Sequence, residues 1–174
     1  VKFTQTSVPG VLLVEPDVFR DARGFFLETF HAEKYRQGGI AHHFVQDNHS
    51  RSVRGTLRGL HAQRRRPQGK LVRALRGEIF DVAVDLRPGP GFGKWVGATL
   101  SEDNFLQLFV APGCAHGFCV LSEIAEVEYK CTDLYDRSDE IGALWSSAGI
   151  EWPVRDPVLS ARDQGLPRLD ELRK

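Results

Sequence analysis

Apolar and polar residues alternate with a period of two through most of the chain between residues 10 and 135. In GEIFDVAVDLR at 77–87, the even positions Phe80, Val82, Val84 and Leu86 are apolar, while Asp81, Ala83 and Asp85 occupy the odd ones. That period belongs to a strand whose side chains point alternately to opposite faces, here with one face buried. Comparable stretches fall at 10–15, 24–30, 44–50, 55–60, 70–76, 93–100, 106–110, 117–121 and 126–132. Turn formers such as Pro88-Gly89-Pro90-Gly91 and Ala111-Pro112-Gly113 separate them. Helical periodicity is scarce: one helix is expected at 32–37, stopped by Gly38-Gly39, and a second at 169–174. Many short strands in 174 residues, with no repeat or linker, predict a single all-β domain built as a double-sheet jelly roll. Residues 150–167, with three prolines among polar positions, are expected to wrap over the barrel.

Charge narrows the choice of partners. Lys plus Arg and Asp plus Glu number 23 each, so no net field draws the chain to nucleic acid or to a membrane surface, and any anion must be held locally. No apolar run approaches the roughly 18 residues of a spanning helix. The opening VKFTQTSVPG lacks the pattern of a signal peptide, so a soluble, cytoplasmic protein is expected. The densest basic run, Arg64-Arg65-Arg66, reads as a solvated loop, with steering of an anionic ligand as the sharper alternative. Cys114, Cys119 and Cys131 form no CxxC pair and read as reduced thiols in or near the core. Nothing beside Cys114 supplies the activation that a nucleophile needs.

Against this background a few polar side chains carry candidate chemistry. RGLH at 58–61 and GKLVR at 69–73 set His61 and Lys70 at neighbouring strand ends, a base that titrates near neutrality beside a fixed cation. PGCAHGF at 112–118 delivers a second histidine, His116, from a turn into a strand. Two histidines on separate strands suit a metal site as well as acid–base work, although HAQ at 61–63 lacks a second histidine one residue away. In AEVEYKC at 125–131, alternation turns Val127, Tyr129 and Cys131 inward. Tyr129 is then either a core tyrosine with a satisfied hydroxyl or a proton donor aimed into a cavity. Strict alternation sets Arg58 and His61 on opposite faces, so either Gly59 allows a twist or Arg58 points elsewhere.

Further motifs join these in order: QDNHS at 46–50, QGKLVR at 68–73, FGKWVGATLS at 92–101, YKCTDLY at 129–135, IEWP at 150–153 and LSARD at 159–163. Together they closely resemble the dTDP-4-dehydrorhamnose 3,5-epimerase family of cupins over residues 9–167. The resemblance implies a cupin-type jelly roll, or double-stranded β-helix, with a few short helices. It implies action on dTDP-4-keto-6-deoxy-D-glucose or a related dTDP-keto sugar, with inversion at C3 and C5, and no metal or other cofactor. It also implies a homodimer whose N-terminal strands pack on the partner. By the same resemblance His61 is the base, Asp163 fixes its ring, Lys70 stabilises an enolate, Tyr129 donates a proton from the opposite face, and Tyr135 stacks on the ligand. Arg23, Glu28, Gln46, Asp47, Asn48, Arg58, His116, Glu140 and Arg162 become substrate-binding residues, with Arg23 placed to complete the partner's site. Two positions depart from the family pattern: Arg162 stands where lysine is common, and Ala62 where an aromatic residue is usual. A mono-epimerase acting at C3 or C5 alone, a metal-dependent cupin and a non-catalytic sugar binder are the alternatives.

Overall fold

The computed structural model describes residues 1–173, in which the alternation resolves into thirteen strands. The first four are β1 Lys2–Gln5, β2 Leu12–Glu15, β3 Val18–Asp21 and β4 Gly24–Leu27, followed by helix α1, Ala32–Gln37. Then come β5 Gln46–Val53, β6 Leu57–Gln63, β7 Lys70–Arg76, β8 Glu78–Asp85 and β9 Trp95–Ser101. The last strands are β10 Gln107–Val110, β11 Cys114–Val120, β12 Ile124–Cys131 and β13 Glu140–Gly142, with a short helix α2 at Ala161–Gln164. A six-stranded sheet runs in the order β1-β2-β10-β7-β12-β5 and a five-stranded sheet in the order β13-β6-β11-β8-β9, while β3 and β4 form a hairpin of their own. All the strand pairings are antiparallel, and the two sheets face each other as the expected jelly roll.

The main core lies between the sheets. Val72, Leu108 and Val127 from one meet Ile79, Phe118 and Val120 from the other. The five-stranded sheet is covered on its outer face as well, where Leu60, Val82, Val84 and Ala115 pack with Leu169 and, at the margin, Phe92 and Trp152. Trp152 sets its ring edge-on to Phe80 at 6.0 Å and donates its indole N–H to the Trp145 carbonyl at 3.0 Å. Residues 150–167 therefore do strap the barrel. Each fully buried Val of this outer layer contributes about 1.5–3 kcal/mol. The double covering corrects the reading of β8 as a strand with one buried face. A sheet covered on both sides has no solvent face, so Asp81, on the odd positions, is 0% exposed.

Local signals decide the short elements. In α1, the His31 ring accepts the Lys34 N–H at 3.4 Å, and Tyr35 turns into the core. Helix α2 was not expected in a proline-containing stretch, yet Ser160 Oγ accepts the Asp163 N–H at 3.1 Å and caps it. The helix expected at 169–174 is a 3-10 turn, Leu169–Leu172, and position 174 lies outside the described residues. The basic run is not a solvated loop throughout: Asp139 accepts the backbone N–H groups of Arg65 and Arg66 and pairs with the Arg65 guanidinium, while Arg66 pairs with Asp133. The three cysteines are free and buried, and burial raises the Cys114 thiol to about 12, which leaves it inert. Among the described residues no helix is long and apolar enough to cross a membrane.

Candidate active site

The conflict of parity between Arg58 and His61 is settled by a bulge. His116 of β11 pairs with His61, and Phe118 with Arg58, so two steps along β11 match three along β6. The extra residue falls at Gly59-Leu60 and returns both Arg58 and His61 to the face that lines a cavity of about 600 Å³. Gly59 allows this at φ +113°, and a Cβ there would stand 2.6 Å from the His116 carbonyl oxygen and 2.7 Å from Gly117 Cα. Both neighbours are backbone and cannot swing away. Gly59→Ala is therefore expected to cost about 3 kcal/mol or more in a urea unfolding titration, with loss of activity in the folded fraction.

Two imidazole–carboxylate pairs sit side by side on β6 and β11. His61 Nε2 lies 2.6 Å from Asp163 Oδ1, and Asp163 Oδ2 accepts the Gly59 N–H at 3.2 Å. Because the carboxylate accepts, the ring donates Nε2–H and presents Nδ1 as its basic nitrogen. Burial pushes the Asp163 carboxyl up, but the hydrogen bond and charge of His61, the Gly59 N–H and Arg162 outweigh it, and the net shift is downward. His116 Nε2 lies 2.6 Å from Asp81 Oδ1, and Asp81 Oδ2 has no hydrogen-bond partner among the described residues. Burial raises the Asp81 carboxyl against the opposing charges of His116 and Lys70. The residues expected on the resemblance did not include Asp81. A carboxylate in the middle of a strand as apolar as β8 was the available signal, since such a charge is kept only where it is paired or used.

Lys70 and Tyr129 complete the inner cavity wall. Lys70 is 7% exposed, and its ammonium has no ion-pair partner among the described residues. Burial holds its pKa below that of a free lysine, with Cys131, Glu140 and Asp81 pulling the other way. The Tyr129 ring stands 6.0 Å from that of His116, and burial raises the phenol, which keeps it protonated. Its hydroxyl makes no hydrogen bond to the described residues, unlike the satisfied core tyrosine Tyr35, which donates to Gln107 Oε1. No three His, Cys, Asp or Glu side chains among the described residues converge as a metal-ligand set.

The rim is more polar. The Tyr135 hydroxyl donates to Glu140 at 2.6 Å, and Arg162 forms an ion pair with the same carboxylate. The Tyr135 N–H donates to Gln46 Oε1, and Gln46 in turn donates to Asn48. Arg58 donates to Ser52 Oγ at 3.0 Å. The cavity thus brings together His61, Lys70, Tyr129 and Asp163 with Gln46, Asn48, Arg58, His116, Tyr135, Glu140 and Arg162. Three expected site residues lie elsewhere on this chain. Asp47 has the opposite parity to Gln46 and Asn48, so it faces outward and pairs with Lys130. Arg23 projects from the β3–β4 hairpin against Asp21, and Glu28 pairs with Lys34 of α1. Wall positions that sequence reasoning missed include Gln63, Gln68 and Leu159.

The family model described as dTDP-4-dehydrorhamnose 3,5-epimerase matches residues 5–171. The chain belongs to this family. Its relatives include the dTDP-4-dehydrorhamnose 3,5-epimerase of Shigella flexneri, 53% identical over 164 residues that cover 91% of each chain. A solved epimerase from Legionella pneumophila, in complex with dTDP-4-keto-L-rhamnose, superposes with a TM-score of 0.93 at 44% identity, covering 99% of this chain and 98% of that one. More distant, at 37% identity over 96% of this chain and 83% of its own length, is the dTDP-4-dehydrorhamnose 3-epimerase of Streptomyces niveus. The jelly roll of this epimerase-family chain is thus the scaffold of the solved relative, and its cavity lies within the matched residues.

Proposed function

We propose that the chain epimerises C3 and C5 of dTDP-4-keto-6-deoxy-D-glucose, giving dTDP-4-keto-L-rhamnose. The observation that carries this reading is one cavity holding a carboxylate-oriented imidazole together with a buried ammonium and a phenol that have no ion-pair or hydrogen-bond partner among the described residues. A 4-keto group acidifies the C–H bonds on both neighbouring carbons. His61 Nδ1 takes the proton, the electron pair moves into an enolate, and Lys70 meets the charge on the enolate oxygen. Tyr129, kept protonated by burial, returns a proton to the opposite face, and the carbonyl re-forms. Solvent then restores both groups, and the cycle repeats at the second carbon. Carbon C4 begins and ends as a ketone, so the sequence calls for no redox partner. In deuterium oxide, label is expected at both C3 and C5, falling by about 10²–10⁴-fold in His61→Ala. Full exchange in that variant sinks the assignment, and label at one carbon alone makes the protein a mono-epimerase.

The same reading makes the active form a homodimer. Phe19 and Phe26, cross-strand partners on one face of the β3–β4 hairpin, are 64% and 70% exposed, an apolar patch that a lone chain leaves in water. Docked on a second copy, that hairpin would bring Arg23 to the partner's cavity. Light scattering is expected to report a dimer, and Phe26→Glu a monomer with reduced turnover. A fully active monomer would refute the shared site.

A further inference from the structure

Of the three arginines in the basic run, two are neutralised within the fold, Arg65 on Asp139 and Arg66 on Asp133. Arg64 is different. Its side chain has no ion-pair partner among the described residues, and it lines a second cavity of about 590 Å³ on the other side of β6. Ala62 and Gln63 border both cavities and form the wall between them. That wall is held: Gln63 Nε2 donates to the Arg66 and Leu134 carbonyls, and its Oε1 accepts the Asp136 N–H at 2.8 Å. The second cavity has an apolar lining from Leu86, Phe92, Ile141 and Leu172, and no Asp or Glu among the described residues borders it. A second arginine, Arg173, lies 4.8 Å over the Phe92 ring and likewise has no acidic partner among the described residues. Arg87, the third at this cavity, is occupied by Asp85 and the Pro9 carbonyl.

We propose that this cavity is a binding site for an organic anion with an apolar body, an aryl or acyl carboxylate, sulfonate or phosphate. The body lies on Phe92, Leu86 and Ile141, and the head group sits between Arg64 and Arg173. Two guanidinium groups at the solvent edge of an apolar floor, neither with an acidic partner among the described residues, select that class, because a neutral apolar ligand makes no use of the charges and a free inorganic anion leaves the floor wet. The volume falls within the range of about 300–1,000 Å³ usual for small-molecule sites.

Fluorescence titration of the full chain with 8-anilinonaphthalene-1-sulfonate tests this, run with and without saturating dTDP. The expected result is saturable binding of one equivalent that persists with dTDP present. It should weaken about tenfold or more in Arg64→Glu/Arg173→Glu and survive in Arg64→Lys/Arg173→Lys. Absence of saturable binding, complete displacement by dTDP, indifference to charge reversal, or equal loss in the lysine variant each overturns the proposal.

Discussion

In Lys70→Met, folding stability is expected to rise by about 1–3 kcal/mol while turnover falls about 10²–10³-fold. The two effects have one cause. An ammonium that is 7% exposed and without an ion-pair partner among the described residues has given up water for little in return, and only a developing enolate oxygen would compensate it. Methionine fills a similar space with no charge to desolvate. The sign of the pH dependence follows from the lowered pKa of Lys70. The folded state binds this proton more weakly than the unfolded state, so the ammonium lowers stability below its folded pKa. That penalty fades as pH rises from the folded value toward about 10.4, the value for an unfolded chain. Urea titrations of both proteins at neutral and alkaline pH should show the stability gap closing as pH increases. A variant less stable than the parent at neutral pH, or one with normal turnover, refutes the role given to Lys70.

Asp163→Asn is expected to lower turnover by about 10³–10⁴-fold with little change in fold. Asparagine can keep the contact with Gly59 N–H, but its amide donates where the carboxylate accepted. The His61 ring then takes the other tautomer and presents Nδ1–H to the substrate, a donor where a base is needed. Binding of dTDP should be unchanged, so the loss falls on turnover alone. The acid limb of stability should shift as well. The depressed pKa of Asp163 means its contribution is present above the unfolded value, near 3.9, and is lost as pH falls through the folded one. The asparagine variant lacks that loss. An Asp163→Asn enzyme within tenfold of the parent would leave His61 without the partner this geometry assigns.

Two elements bounded by glycine were legible to the residue, while the strands expected to start at Gly10, Gly55, Gly93 and Gly117 begin at Leu12, Leu57, Trp95 and Cys114. Strand β7, between Gly69 and Gly77, and helix α1, before Gly38-Gly39, fall where the punctuation put them. Strands β1, β3 and β13 went unread, and of these β13 has only three residues in which to show a period. Helix α2 did carry a signal, the Ser160-x-x-Asp163 spacing of a capped helix start, though it lay in a stretch dominated by proline. The site divides the same way. His61, Lys70, Tyr129 and Asp163 come from four separate segments, and it was the motif resemblance that joined them. Alternation alone placed Tyr129 inward and would have turned Asp47 out. It could not supply the bulge at Gly59, where one extra residue changes the face of everything before it. Nor could it reveal Asp81, because a period of two does not say whether the second face meets water or another layer.

The sheet covered on both sides has a consequence for how the site can vary. His61 and His116 stand on β6 and β11 with packed layers before and behind them, while Tyr135 and Arg162 belong to a rim that meets solvent. The floor behaves as an anvil, and little reorganisation is left to be done when charge moves across it. The rim behaves as a hand that can change its grip. A substitution at Tyr135 is expected to alter how the ligand is held without disturbing the imidazoles beneath, whereas Glu140 and Arg162 also act on the charges of Lys70 and Asp163. On the proposed reading, grip and proton chemistry would thus fall to differently supported parts of one small barrel, joined by charge at Glu140 and Arg162.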